Sequence, residues 1–248
     1  MIDHVYRTLG RRAWPPIVAS AVRALNRITT FVPPPPSAAG GGGKVLVVSV
    51  HPNGKQPSFT LALTTAVCDS LEAEGNEVRL TNLYDENFQP AMSRVEYRGY
   101  MTAHRDGKLT EDVKGHVEDL LWCSGLVLCY PTWWYSFPAI LKGWLDRAFV
   151  PGVAFDLPNG VDEPDPMTGL ISRLTHIEKV GMVTTFGNGF WNVQYVGDPG
   201  RRIMSRGLRP LFHPECTLMW KGLYDVEARS PEARSAFLED VRASFRKF

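Results

Sequence analysis

Between Gly125 and Phe149 the chain reads as strand, aromatic loop and helix in immediate succession, and few folds accommodate that order. Gly125–Tyr130 is an apolar run of the kind buried on both faces of a sheet. Pro131, Thr132, Trp133, Trp134, Tyr135 and Ser136 follow as a short loop, and Pro138 fits the first position of a helix. Within that helix Ile140, Leu141, Trp144, Leu145, Ala148 and Phe149 share one face, the stripe of a helix packed on a core. A strand that passes into a helix through such a loop places the loop at the carboxyl edge of a parallel sheet. In open α/β proteins that edge binds flat ligands. Adjacent tryptophans on a short loop do not both point inward, so the pair reads as a ligand platform in preference to core packing.

The rest of the chain repeats the alternation. Lys44–Val50 is short, apolar and β-branched, and Glu77–Thr81, Lys179–Thr185 and Cys216–Trp220 read as further strands. Ser58 stands where it can cap a helix running to about Glu74, with Phe59, Leu63, Ala66, Val67 and Leu71 on one side and Gly75 as its stop. Glu111–Cys123 is a second helix. Ser230, Pro231 and Glu232 open a last one with Phe237, Val241 and Phe245 in register. Residues 44–248 are therefore expected to form an α/β domain: a doubly wound, five-stranded parallel sheet with helices on both faces.

Residues 1–43 differ in character. Arg7, Arg11, Arg12, Arg23 and Arg27 stand against one acid, Asp3, and the segment ends in Pro33–Pro36 and Gly40–Gly43, a stiff stretch followed by a flexible one. An arm packed on a partner subunit, a membrane-surface helix and a targeting segment all fit, and the partner-packing arm is the preferred expectation. Over the whole chain the formal charge is only +1, which argues against a dedicated nucleic-acid binder. Cys68, Cys123, Cys129 and Cys216 form no paired motif and read as reduced thiols of a cytoplasmic protein. No apolar run is long enough to span a bilayer, and the histidines show no metal-ligand spacing.

Loops after the first, third and fourth strands of the expected sheet should meet at one edge. The first, from His51 through Ser58, Phe59 and Thr60, runs into a helix N-terminus whose free N–H groups and hydroxyls suit a phosphate. It lacks the glycine fingerprint of dinucleotide binders and the lysine of P-loops. An ordinary capped turn explains it equally well. The second is the aromatic loop, and the third is Thr184, Thr185, Phe186 and Gly187, where glycine allows backbone N–H groups close to a planar edge. A phosphate seat, an aromatic wall and a hydrogen-bonding rim together suit a flavin better than a sugar or a metal.

The segment from Leu83 to Arg94, with its Tyr84, Asn87, Phe88, Pro90 and Ser93, and the run Pro138–Trp144 before Arg147 and Phe149 carry a resemblance. With His51, Ser58 and Phe59 they make residues 44 to 225 similar to the NAD(P)H:quinone oxidoreductases of DT-diaphorase type, a family of flavodoxin-like flavoproteins. The resemblance implies a tightly held flavin (FAD, with FMN as the alternative), NADH or NADPH as electron donor, and a homodimer with sites at the subunit boundary. It implies that His51, Phe59 and Thr60 contact the phosphate and ribityl parts. Thr132, Trp133, Trp134 and Tyr135 would flank the ring, and Thr184, Thr185, Phe186 and Gly187 would line its polar edge.

The chain departs from the family at Thr60, where asparagine is common, and at Phe186, where a second glycine is common. Animal members place a tyrosine and a histidine in the loop after the fourth strand. Here that stretch, Phe190–Asp198, has no histidine, and Tyr195 is the substitute assigned, beside a core or interface role for the same ring. The implied reaction is ping-pong: a reduced nicotinamide passes hydride to flavin N5 and leaves, and a quinone or other electron-poor aromatic then takes its place. Trp134, Trp133, Phe149 and Phe155 would form the apolar slot; Arg201, Arg202, Arg206 and Arg209 fit either the extra phosphate of NADPH or, as such runs more often are, a solvated helix face. Residues 156–172 are an extension expected to act as a lid. In a second reading the flavin stays, but the chain is a regulatory partner of a membrane transport protein reached through the arm.

Overall fold

The computed structural model describes residues 42–52 and 58–248. The expectations placed on residues 1–41 and on the turn 53–57 lie outside them. Strands β1 (Lys44–Ser49), β2 (Glu77–Asn82), β3 (Gly125–Pro131), β6 (Lys179–Thr185) and β7 (Thr217–Leu223) form one sheet in the order β2-β1-β3-β6-β7. Every neighbouring pair is parallel. This is the flavodoxin-like order, and the doubly wound expectation holds.

Period-two alternation decides which side chains go to which face. Val45, Val47, Val127, Cys129 and Val183 point toward helices α1 (Phe59–Ala73) and α7 (Pro231–Phe245), where they meet Leu63, Val67, Leu71, Val241 and Phe245. Leu46, Val48, Leu126 and Leu128 point the other way, toward helices α3 (Glu111–Trp122) and α4 (Ala139–Ala148). There Val113, Val117, Leu120, Leu141 and Trp144 fill a larger core. The stripe expected on α4 is buried throughout. Pro138, however, is the cap before the helix, not its first residue, because its ψ of 149° is extended.

Arg147 fixes α4 against the segment that follows β2. Its guanidinium, 4% exposed, reaches Glu96 and Asp112, each at 2.7 Å, Thr110 at 3.0 Å and the Gln89 carbonyl. Glu96 itself belongs to a capping box with Ser93 at the start of the short helix α2 (Arg94–Gly99).

Two stretches differ from expectation. Phe190–Val196 is a helix, α5, where a loop was expected; Gly197 closes it at φ 98° and Asp198 turns the chain back at φ 48°. The chain continues through α6 (Pro199–Arg202) into a π-helical turn at Ile203–Leu208. The extension at residues 156–172 is tied at its base by β4 (Phe155–Asp156) paired antiparallel to β5 (Ile171–Ser172). Arg173 adds exposed ion pairs to Asp156 at 2.6 Å and Asp162 at 3.2 Å near that base.

Candidate functional site

Strand order reverses between β1 and β3, whose following helices α1 and α4 lie on opposite faces. A crevice therefore opens at their carboxyl ends. On one side His51 is half-buried just beyond Val50, and burial holds its imidazole below the ordinary value. Ser58 takes the extended N-cap position of α1 but makes no side-chain capping bond there. Phe59 is half-buried, and Thr60 is buried, its carbonyl accepting from the Thr64 hydroxyl at 3.0 Å.

The aromatic loop is the most unusual backbone in the described residues. Trp133 and Ser136 exchange two backbone bonds, N–H to O at 3.2 and 3.1 Å, around Trp134 and Tyr135. Both central residues are left-handed, at φ 49° and 64°. That is the geometry of a two-residue hairpin turn, which asparagine and glycine ordinarily occupy. A left-handed residue with a Cβ costs roughly 1–2 kcal/mol, so the fold spends a few kcal/mol to hold two aromatic rings at this turn. Trp134 is 93% exposed and Trp133 half exposed. The turn is anchored by Thr132, whose N–H and hydroxyl both donate to the Thr185 carbonyl at 2.8 Å. Pro131, the last residue of β3, pairs with Thr185 in the same register.

The rim after β6 is divided. Gly187 is exposed, whereas Thr184 and Thr185 are buried. Phe186 neither narrows the crevice nor covers it: the ring is buried and stacks on Tyr224 at 4.6 Å and 12°. Its N–H is already committed to the Leu223 carbonyl at 2.8 Å, so Gly187 is the rim residue open to a ligand. Tyr195 stands on α5 with 70% of its surface exposed. Phe149, expected in an apolar slot, lies instead in the core against Trp144 and Phe212, and Phe155 is half-buried against the same core.

Buried Tyr130 and Asp198, with half-buried Trp220 and Tyr224, form a polar group behind the turn that reading the sequence missed. The available signal was Tyr130 itself, an aromatic with a polar tip at the end of an otherwise apolar strand. Burial pushes the Asp198 carboxyl up, Tyr130 well up, and Tyr224 to about 12. Among the described residues no cluster of three or more His, Cys, Asp or Glu side chains is placed to hold a metal ion.

A family model described as a flavodoxin-like fold matches residues 43–212. The chain belongs to this family. It is 34% identical over 115 residues to an uncharacterized NAD(P)H oxidoreductase of Haemophilus influenzae, covering 46% of this chain and 54% of that protein. It is 30% identical over 132 residues to the ribosyldihydronicotinamide dehydrogenase [quinone] of Pongo abelii, covering 48% of this chain and 56% of that protein. The chain thus spans about half the length of the curated relatives it matches. A crystal structure of a Streptococcus mutans UA159 protein superposes with a TM-score of 0.68 at 25% identity, over 83% of this chain and all of that one. The resemblance to quinone oxidoreductases holds at the level of family.

Proposed function

We propose that this chain is a flavin-dependent NAD(P)H oxidoreductase that passes electrons from a reduced nicotinamide to a quinone or similar electron-poor aromatic. The observation that carries the reading is the left-handed turn that exposes Trp134 at the switch point of the sheet. A strained backbone that displays an apolar ring to solvent is favoured where a ligand or a second chain covers the ring, and the switch point of the sheet is where flat ligands bind. The names borne by the relatives support the same reaction class.

The residues present fit a flavin, FAD in the first instance and FMN as the alternative. Trp133, Trp134 and Tyr135 would flank its ring, Gly187 would offer a backbone N–H to its polar edge, and the α1 N-terminus beside His51 and Ser58 would hold a phosphate. When bound, a flavin supplies a centre that accepts two electrons with a hydride and releases them to a second molecule. The chain's own work is to stack donor and acceptor alternately on one face and to keep the opposite face closed. The Thr132–Thr185 tie fixes the spacing between ring wall and polar rim. A second copy of the chain would cover Trp134, Tyr195 and Val196, exposed by 93, 70 and 48%, which supports a homodimer.

An anaerobic spectral titration tests the proposal. Protein reconstituted with FAD or FMN should bleach on addition of NADH or NADPH and recover its colour when a quinone is added. A protein that binds neither flavin, or one whose bound flavin no nicotinamide reduces, would overturn it.

A further inference from the structure

Directly behind the aromatic turn lies a set of buried polar atoms that the fold does not use. Tyr130 and Thr184 are register partners at the ends of β3 and β6, so their side chains leave the same face of the sheet side by side. Neither has any exposed surface, and although Thr184 lies near enough to act on the Tyr130 hydroxyl, neither hydroxyl reaches a partner at full hydrogen-bond geometry. The next residue in that row is Gly222 of β7. A Cβ there would stand 3.1 Å from Trp220 Nε1, 3.2 Å from the Phe186 ring and 3.4 Å from the Tyr224 hydroxyl, so the missing side chain lets these groups close in around the strand. Trp220 Nε1 is likewise unpartnered.

Asp198 closes the cluster from the helical layer. It is 4% exposed, and its Oδ1 has no partner while its Oδ2 receives a long bond of 3.4 Å from Gln194. Its charge is felt by both Tyr130 and Tyr224. Next to it, Gly200 brings backbone to the Tyr130 hydroxyl, which would be 3.5 Å from a Cβ at that position. The other groups facing the carboxyl are Arg201 and Arg202 of α6, which favour its charged form without outweighing burial. A buried unpaired polar group costs about 1–3 kcal/mol. A fold that retains Tyr130 Oη, Thr184 Oγ1, Asp198 Oδ1 and Trp220 Nε1 in this condition at one sheet edge is better explained by use than by packing.

We propose that Asp198 is the proton-holding end of a buried relay, running through Tyr130 to Thr184 at the carboxyl edge of the sheet, that delivers the proton required by acceptor reduction. This rests on the oxidoreductase reading above. In the overall reaction a reduced nicotinamide, one proton and a quinone give the oxidised nicotinamide and a hydroquinone. The hydride and its electron pair originate at the nicotinamide, and the remaining proton comes from water. Along the relay the Asp198 O–H bond breaks and its proton passes to the Tyr130 oxygen. Tyr130's own proton moves to Thr184, its neighbour in the row, and Thr184's proton passes on to the acceptor oxygen seated at the carboxyl edge of β6. The Asp198 carboxylate then takes a proton from solvent, so no protein group changes oxidation state.

Two variants, Asp198→Asn and Tyr130→Phe, test this in the flavin-loaded full chain. Each is expected to lower kcat about 100-fold with the KM for NAD(P)H unchanged, and Asp198→Asn should abolish the alkaline limb of the native pH profile. Tyr130→Phe removes an unpartnered hydroxyl, so its Tm should not fall; a purely structural role predicts no loss of turnover. A second readout needs no turnover. A carboxyl raised on folding stabilises the protein fully below its ordinary value of 3.8, and that contribution is lost as pH rises through the folded value. The Tm of Asp198→Asn minus that of the native protein should therefore increase with pH above that point. A difference that stays flat, or unchanged kcat in both variants, overturns the relay. Native protein that fails to turn over quinone overturns the oxidoreductase reading instead, and the Tm difference still reports whether Asp198 holds a proton.

Discussion

At Trp134 local backbone preference and exposure point the same way, against the residue that is there. Left-handed backbone costs a non-glycine roughly 1–2 kcal/mol, whereas glycine loses about 0.5–1 kcal/mol more in chain entropy on folding. Trp134→Gly is therefore expected to leave the protein as stable as before or up to about 1 kcal/mol more stable, as measured by urea unfolding without flavin. The same change should weaken flavin binding about tenfold, the equivalent of one lost aromatic stack. Equal losses of stability and affinity would show the ring to be part of the core. Asp198 is another of the five non-glycine residues that the described chain holds at positive φ, and it carries a buried carboxyl.

Helix α4 shows how an element is positioned by what it lacks. A Cβ at Gly143 would fall 2.2 Å from the Pro90 carbonyl oxygen, an impossible contact with backbone on the other side. Gly143→Ala must push α4 away from the Pro90 turn, and with it the Arg147 network and the aromatic turn that precedes the helix. Overpacking of this kind costs about 1–3 kcal/mol, so a Tm drop of several degrees is expected by calorimetry, together with weaker flavin binding. Elements with a strong period, such as α4 and the five strands of the main sheet, were legible from the sequence to within a few residues. Helix α5 was not: only Val193 of its seven residues is fully buried, so no stripe marks it. The π-helical turn after α6 has no sequence signal either, since its register depends on what it packs against.

At the scale of the whole molecule, the fold withdraws all four cysteines from ready reaction. Cys123 and Cys216 are buried and Cys68 is half-buried, and burial pushes their thiols to about 12, 11 and 12, with Cys129 higher still. At pH 8 a thiol reagent should label the native protein slowly and only after opening, and label all four cysteines at once in denaturant. Rapid labelling of the native state would show that the core opens without global unfolding. Among the described residues no helix is long and apolar enough to cross a membrane.

The sequence alone determined the strand–helix alternation, the face each strand residue takes and the identity of the aromatic loop, because these follow from periods of 2 and 3.6 residues in the nearby chain. Tertiary structure alone decided that Trp134 and Tyr135 adopt left-handed backbone, since that conformation comes from the Trp133–Ser136 bonds and the anchor of Thr132 on Thr185. It also decided that Phe186 is core, and that Tyr130, Thr184, Asp198 and Trp220 lie in one neighbourhood. Those residues come from three strands and the turn after α5. Only the parallel register and the layer above it bring them together, and no local period records such a meeting.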